Sequence, residues 1–370
     1  MLVVTAAQTA SLFVSGFASH LADRGHRVIV VADSLGSLEA GANKAGIELE
    51  PIPMRRNPSP WHDLRSLITL LAVIRHVQPD VITYATPKAS LIGSIAGRLA
   101  GTKTRVYQLW GLRLETMGGL SRWGLGVFER LTSWLSTSIV ANSPSLAQRY
   151  LDLSLNAGRE VDVLGSGSSH GVDLQRFSRD APIPELEQAT ANFLGRNAGL
   201  VVGFVGRLHV DKGLLDLKEA VRLCHQEGHR IQLLLVGPDE GIGDRIVEDD
   251  DDLSIHLAGE TDDPRPYLAV MDVLCLPSHR EGFPNVVLEA GAMGVPAVVS
   301  NATGAVDSVV PGVTGMVTPV RDPAQLARAL SILATDPQLL NTLGRGALNH
   351  VRTNFDQYKV WNDYARYLLK

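Results

Sequence analysis

Glu281 and Glu289 stand eight positions apart in the run SHREGFPNVVLEAGAMGVP (278–296), two carboxylates set in otherwise apolar sequence. Between them Gly282, Phe283, Pro284 and Asn285 read as a turn, and Val286-Val287-Leu288 opens a helix expected to continue to Gly294. Pro284 suits a helix start, because the amide it lacks would have no intrahelical partner there. The amides of Phe283, Asn285 and Val286 then point out of an N-terminus, which favours an anion such as a diphosphate. Glu289 falls roughly one and a half turns along, where it can reach hydroxyl groups of the same ligand. A phosphate site beside a hydroxyl-binding carboxylate reads as a nucleotide-sugar site.

These residues need a scaffold, and the pattern supplies one. Strand-like and helix-like runs alternate, as in parallel sheets covered on both faces. In the first half the strands are 1–6, 27–32, 80–85, 105–110 and 138–143, and the helices are 11–25, 64–78, 88–101 and 125–136. In the second half the strands are 200–206, 231–237, 254–259, 273–278 and 296–300. A stretch rich in Ser, Gly and Pro near 165–185 marks a linker between two doubly wound α/β units, with a ligand expected in the cleft between them. The run FDQYKVWNDYARYLLK (355–370) has the spacing of an amphipathic helix, with Tyr358, Trp361, Tyr364 and Leu368 on one stripe.

Composition narrows the class. With 370 residues, 45 % hydrophobic and 20 % charged, the chain has the balance of an ordinary multi-domain globular protein. Cys224 and Cys275 sit in apolar runs and offer neither a disulfide framework nor a metal spacing. The acidic run 248–252 reads as a solvated loop, since adjacent carboxylates repel. No apolar run approaches the ~18 residues of a membrane span, and MLVVTAAQTA lacks the basic start of a signal peptide, so a cytoplasmic location is expected. Residues 1–165 carry a balance of +4 and the remainder −9, within a total of −5. The basic half suits an anionic partner such as membrane phospholipid or a lipid diphosphate, and no nucleic acid is expected.

The run 278–296 resembles the E-x7-E signature of retaining glycosyltransferases of the two-domain GT-B architecture, in glycosyltransferase family 4. GFVGRLHVDKG (203–213) resembles that family's second signature, and the order GRL..KG, LLLVGP, LPSHREGFPNVVLEAGAMGVPAVVS follows throughout. The resemblance implies two Rossmann-like domains facing across a cleft. Residues 1–170 would form the acceptor domain and 171–352 the donor domain, with a last helix, 353–370, returning to the first. It implies that Arg207 and Lys212 hold the donor diphosphate, that Gly206, Gly237, Gly282, Phe283, Pro284, Asn285 and Val286 line the donor, that Glu289 binds ribose and that Glu281 meets the sugar. Arg207, Lys212 and Glu281 are then the catalytic group. No cofactor and no metal are expected, because the cations take over a divalent ion's task. TPKASLIGSIAGRLAG (86–101), RVYQLWGLRLE (105–115), LGSGSSHGVD (164–173) and PIPMRRNPSPWHDL (51–64) resemble the subgroup that builds capsular, exopolysaccharide and lipid-linked oligosaccharide chains. This implies a lipid-linked glycan acceptor and a peripheral place on the inner face of the cell membrane.

The sequence also departs from the family. Gln8-Thr9-Ala10-Ser11 stands where many members have a glycine pair, with Ser11 a candidate N-cap, and Trp110 stands where many have a His. Thr9, Ser11, Arg56, Lys88 and Trp110 are the acceptor-side candidates. Trp61 and Trp123 fit either membrane anchors or core. Two other readings stay open: a hexosamine 2-epimerase of the same architecture, and a non-catalytic nucleotide-sugar-binding subunit.

Overall fold

The computed structural model describes residues 1–34, 46–55, 57, 59–195, 199–247 and 253–369. Arg56 and the acidic run 248–252 therefore lie outside the described residues. The chain forms two compact units, Met1–His170 with Tyr358–Lys370, and Gly171–Gln357.

The first unit holds seven parallel strands: β1 (Leu2–Val3), β2 (Ile29–Ala32), β3 (Glu48–Pro51), β4 (Val81–Tyr84), β5 (Thr104–Leu109), β6 (Ser138–Ala141) and β7 (Val161–Val163). Their order is 3-2-1-4-5-6-7. The helices are α1 (Ala7–Thr9, Ala10–Val14 and Ser15–Ala22, run on without a break), α2 (Pro60–Val77), α3 (Pro87–Ala100), α4 (Gly119–Leu135) and α5 (Pro144–Asp152). The middle piece of α1 is a π-turn. One core packs Ile82, Tyr84, Leu109 and Ile139, and the other packs Val4, Ala18 and Val140.

The second unit has β8 (Leu200–Val205), β9 (Ile231–Val236), β10 (Ser254–Gly259), β11 (Val273–Leu276), β12 (Ala297–Ser300) and β13 (Gly315–Thr318), in the order 10-9-8-11-12-13. Its helices are α6 (Gln188–Leu194), α7 (Leu214–Gln226), α8 (Gly243–Val247), α9 (Arg265–Val270), α10 (Asn285–Ala292), α11 (Pro323–Thr335) and α12 (Pro337–Asn354). Every residue of β9 and β11 is buried, which is why these strands read as near-continuous apolar runs, broken only by the buried Gln232, rather than alternating ones. Asp322 and Asp336 cap α11 and α12 by accepting from the Gln325 and Leu339 amides at 3.0 and 2.8 Å, each followed by a proline suited to a helix start.

Helix α13 (Gln357–Leu368) belongs mostly to the first unit, where Val360, Tyr364, Ala365 and Leu368 are buried and Tyr364 meets the Phe17 ring at 6.0 Å. It starts at Gln357 rather than 353, because 353–354 complete α12, and Tyr358 is half exposed rather than part of the packed stripe. Among the described residues no helix is long and apolar enough to cross a membrane.

Candidate functional site

In the second sheet β8 lies between β9 and β11, and the chain runs outward from it in both directions. A doubly wound sheet opens a crevice at this switch point, beyond the carboxyl ends of the two central strands. The loop after β8 carries Gly206, Arg207 and Lys212, and the loop after β11 carries Ser278 to Asn285. The fold thus brings together segments about seventy residues apart: Lys212 Nζ donates to Glu281 Oε1 at 2.6 Å. Both side chains are largely buried, 15 % and 12 % exposed, so the pair is shielded from solvent. Ser278 Oγ donates to the same oxygen at 2.7 Å, and the Glu281 amide donates to the Thr303 carbonyl.

The two loops are tied further. His279 Nε2 lies 2.8 Å from Asp216 Oδ2, its amide donates to the Asp211 carbonyl, and Arg280 donates to Asp211 Oδ2 at 3.1 Å. Burial alone would raise the Asp211 pKa, but the His209 hydrogen bond and the charges of Lys212 and Arg280 bring it below the usual carboxylate value. His279 and Arg280 thus tie the two loops together. Gly213 makes the approach possible. It sits at φ +70°, and a side chain there would meet the Pro277 carbonyl. Gly237 at the end of β9 has φ +139°, and a side chain would run into the Gly206 carbonyl.

Arg207 is placed by the same loop but faces another carboxylate: its guanidinium donates to Glu240 Oε2 at 2.6 Å, with 42 % of the side chain exposed. Phe283 is buried against the Phe355 ring at 5.6 Å, and Pro284 precedes α10 as its cap residue. Among the described residues the amides of Phe283 and Val286 have no acceptor, whereas Asn285 Nδ2 donates to the Gly171 carbonyl at 3.3 Å. Glu289 lies one turn into α10 and its carboxylate has no hydrogen-bond partner among the described residues. A little of its surface still faces solvent, yet protein surrounds the carboxyl. That burial raises its pKa to about 7, with Arg176 lowering and Asp263 raising it. An unpartnered, half-buried carboxylate suits a ligand that brings hydroxyl donors.

The acceptor-side candidates fall in the first unit and fare differently. Ser11 is not the N-cap, because α1 begins at Ala7, whose amide donates to Asp33 Oδ1 at 3.0 Å; Ser11 and Thr9 lie inside the helix. Lys88 is held by Asp63 Oδ1 at 2.6 Å and the Asn57 carbonyl at 2.7 Å, so it ties α3 to the start of α2. The Trp110 ring lies 5.6 Å from that of Phe13 and tilted against it, and its buried Nε1 has no partner among the described residues. Sequence reasoning missed Ser278, Glu240, Asp211 and Arg176. Ser278 and Asp211 sit inside the quoted motifs, but nothing in spacing shows that they face Glu281 and the two cations; Glu240 and Arg176 lie far from both motifs.

Two family models match the chain, "Glycosyl transferase 4-like domain" over residues 9–167 and "Glycosyl transferases group 1" over 199–336. A Staphylococcus aureus protein, capsular polysaccharide biosynthesis glycosyltransferase CapM, is 32 % identical over 84 % of this chain and 82 % of its own length. The Escherichia coli UDP-Gal:alpha-D-GlcNAc-diphosphoundecaprenol alpha-1,3-galactosyltransferase is 26 % identical over 82 % of this chain and 79 % of its own. Among solved structures, Anabaena Alr3699/HepE in complex with UDP and glucose superposes with a TM-score of 0.78 at 20 % identity, covering 100 % of this chain and 99 % of that one, which speaks to the fold.

Proposed function

We propose that this chain, which belongs to the group 1 glycosyltransferases of GT-B architecture, takes its sugar from a nucleotide-diphosphate donor. UDP is the nucleotide we assign, the anomeric configuration is retained, and the acceptor is a polyprenyl-diphosphate-linked glycan in cell-surface polysaccharide assembly. The enzyme works as a peripheral protein at the inner face of the cell membrane. The relatives named above support the donor and acceptor classes. The observation that carries the reading is the shielded Lys212–Glu281 pair at the switch point, on the same loop as the α10 amides and one helix turn from the unpartnered Glu289.

Cleaving an anomeric carbon–oxygen bond leaves negative charge on the diphosphate and positive character on the sugar. Lys212, Arg207 and the α10 amides stabilise the departing diphosphate without a metal ion. Lys212 and Arg207 pair with Glu281 and Glu240. Donor entry exchanges those partners: the cations turn to phosphate, and Glu281 is released toward the hydroxyls of the sugar. Glu289 accepts from the ribose. The test is transfer of labelled sugar from a UDP-sugar panel to a polyprenyl-diphosphate-sugar, in EDTA. Acceptor-dependent product supports the reading. Acceptor-independent product would make the chain an epimerase, and binding without turnover would make it a non-catalytic subunit.

A further inference from the structure

Helix α4 is inverted for a helix on a water-facing surface. Its buried positions are Glu129, Thr132, Ser133 and Leu135. Glu129 Oε2 accepts from the Tyr107 and Tyr150 hydroxyls at 2.8 and 3.1 Å, and Ser133 Oγ lies 2.8 Å from the Tyr150 hydroxyl. Its outer positions are Leu120, Trp123, Val127, Phe128, Leu131 and Trp134, exposed by 87, 70, 43, 50, 37 and 60 %. At about 100° per residue these six fall within an arc of roughly 140°. A contiguous apolar face of this kind marks an interaction surface.

Its neighbours point the same way. Helix α3 packs between α2 and α4, and α2 exposes Trp61, Leu64 and Ile68 by 83, 47 and 59 % along its first half. Around these stripes stand Arg65, Arg113 and Arg130, all exposed, while Arg122 lies on the opposite side of α4 and donates to the Leu114 carbonyl at 3.4 Å; the one carboxylate of α4, Glu129, is buried. Arg105, counted with the basic residues of this half, turns inward instead, donating to the Leu135 carbonyl at 2.8 Å at the end of α4. The polar side of α4 is committed to Tyr107 and Tyr150, so the helix lies flat and does not insert across a bilayer. Trp123 and Trp134 are about 16 Å apart along the axis, and indole rings favour the boundary between headgroups and acyl chains.

We propose that the outer face of α4, extended by the first half of α2, docks on the surface of an anionic phospholipid bilayer. The rings of Trp123 and Trp134 lie at headgroup depth, and Arg113 and Arg130 face lipid phosphates. The proposal deepens the lipid-linked acceptor reading by giving it a membrane surface, and its test needs neither donor nor acceptor. The full chain is sedimented with vesicles of phosphatidylglycerol plus phosphatidylcholine, and with phosphatidylcholine alone, while tryptophan emission is recorded. Wild type binds the anionic vesicles with a blue shift, more weakly as salt rises. Trp123→Ser/Trp134→Ser lowers partitioning about tenfold or more and removes most of the shift, at unchanged melting temperature and UDP affinity. Arg113→Gln and Arg130→Gln each lower it roughly fivefold. Equal partitioning of wild type and the Trp variant overturns the proposal. So does a dimer in sedimentation velocity that the same variant dissociates without any vesicle binding, which would assign the face to a second copy. Vesicle binding that follows these substitutions in a chain unable to use polyprenyl acceptors would uphold the docking face and refute the acceptor reading.

Discussion

Glu289 and Lys212 do different work and leave different signatures. The Glu289 carboxyl has its pKa raised to about 7 by burial, and in the role we propose for it only the ionised form would accept two ribose hydroxyls. Donor affinity should therefore fall as pH drops below about 7, by up to about tenfold per unit, and level off above it. In Glu289→Gln calorimetry should find a flat profile and, at pH 8, binding weaker by about 1.5–3 kcal/mol. An unchanged profile in that variant would take Glu289 out of the site. On the proposed mechanism Lys212 meets charge that grows as the bond breaks, so Lys212→Ala should lower kcat by about 10²–10³-fold, more than it weakens binding. It also strands Glu281, which is 12 % exposed, without its cation. Lys212→Ala/Glu281→Gln should then regain melting temperature but no turnover, which separates stability from catalysis.

At the scale of elements, the loop after β8 meets the loop after β11 only because Gly213 presents no side chain to the Pro277 carbonyl. Gly213→Ala should cost at least about 1–3 kcal/mol of stability and reduce transfer together with it, read by thermal melting and initial rates. The inner face of α4 gives a second test. Burial raises the Glu129 pKa to about 7, against the Tyr107 and Tyr150 hydrogen bonds that lower it. A carboxyl whose folded value lies above its unfolded one stabilises fully below about pH 4.5, and that contribution is lost as pH rises through 7. Wild type should lose up to about 3 kcal/mol relative to Glu129→Gln between pH 5 and 8, seen as a melting temperature that falls more steeply. Among the strands read from sequence, β9, β11 and β12 are buried throughout and mostly apolar, whereas β10, a half-buried edge strand, was read as well. The unread strands β3, β7 and β13 all lie at sheet edges, where Glu48, Glu50 and Asp162 or a short span dilute the pattern. The two donor motifs were legible because they are local. The Glu240 partner of Arg207 was not, since a thirty-three-residue separation leaves no periodic trace. Trp61 and Trp123 had two open readings, and their exposure of 83 and 70 % places both outside the core.

At the scale of the molecule, the chain divides its charge, +4 over residues 1–165 and −9 over the rest. The residues we assign to the donor, Lys212, Glu281 and Glu289, all belong to the acidic unit, so anion binding there would depend on local cations and amides rather than on net charge. This makes donor binding the most direct test of the account. UDP titrated calorimetrically in EDTA should bind wild type and lose at least about tenfold in affinity in Lys212→Ala and in Glu289→Gln, with the melting temperature of Glu289→Gln preserved. Affinity unchanged in both variants, or abolished in wild type by the chelator, would contradict a metal-free diphosphate site at the switch point of the second sheet.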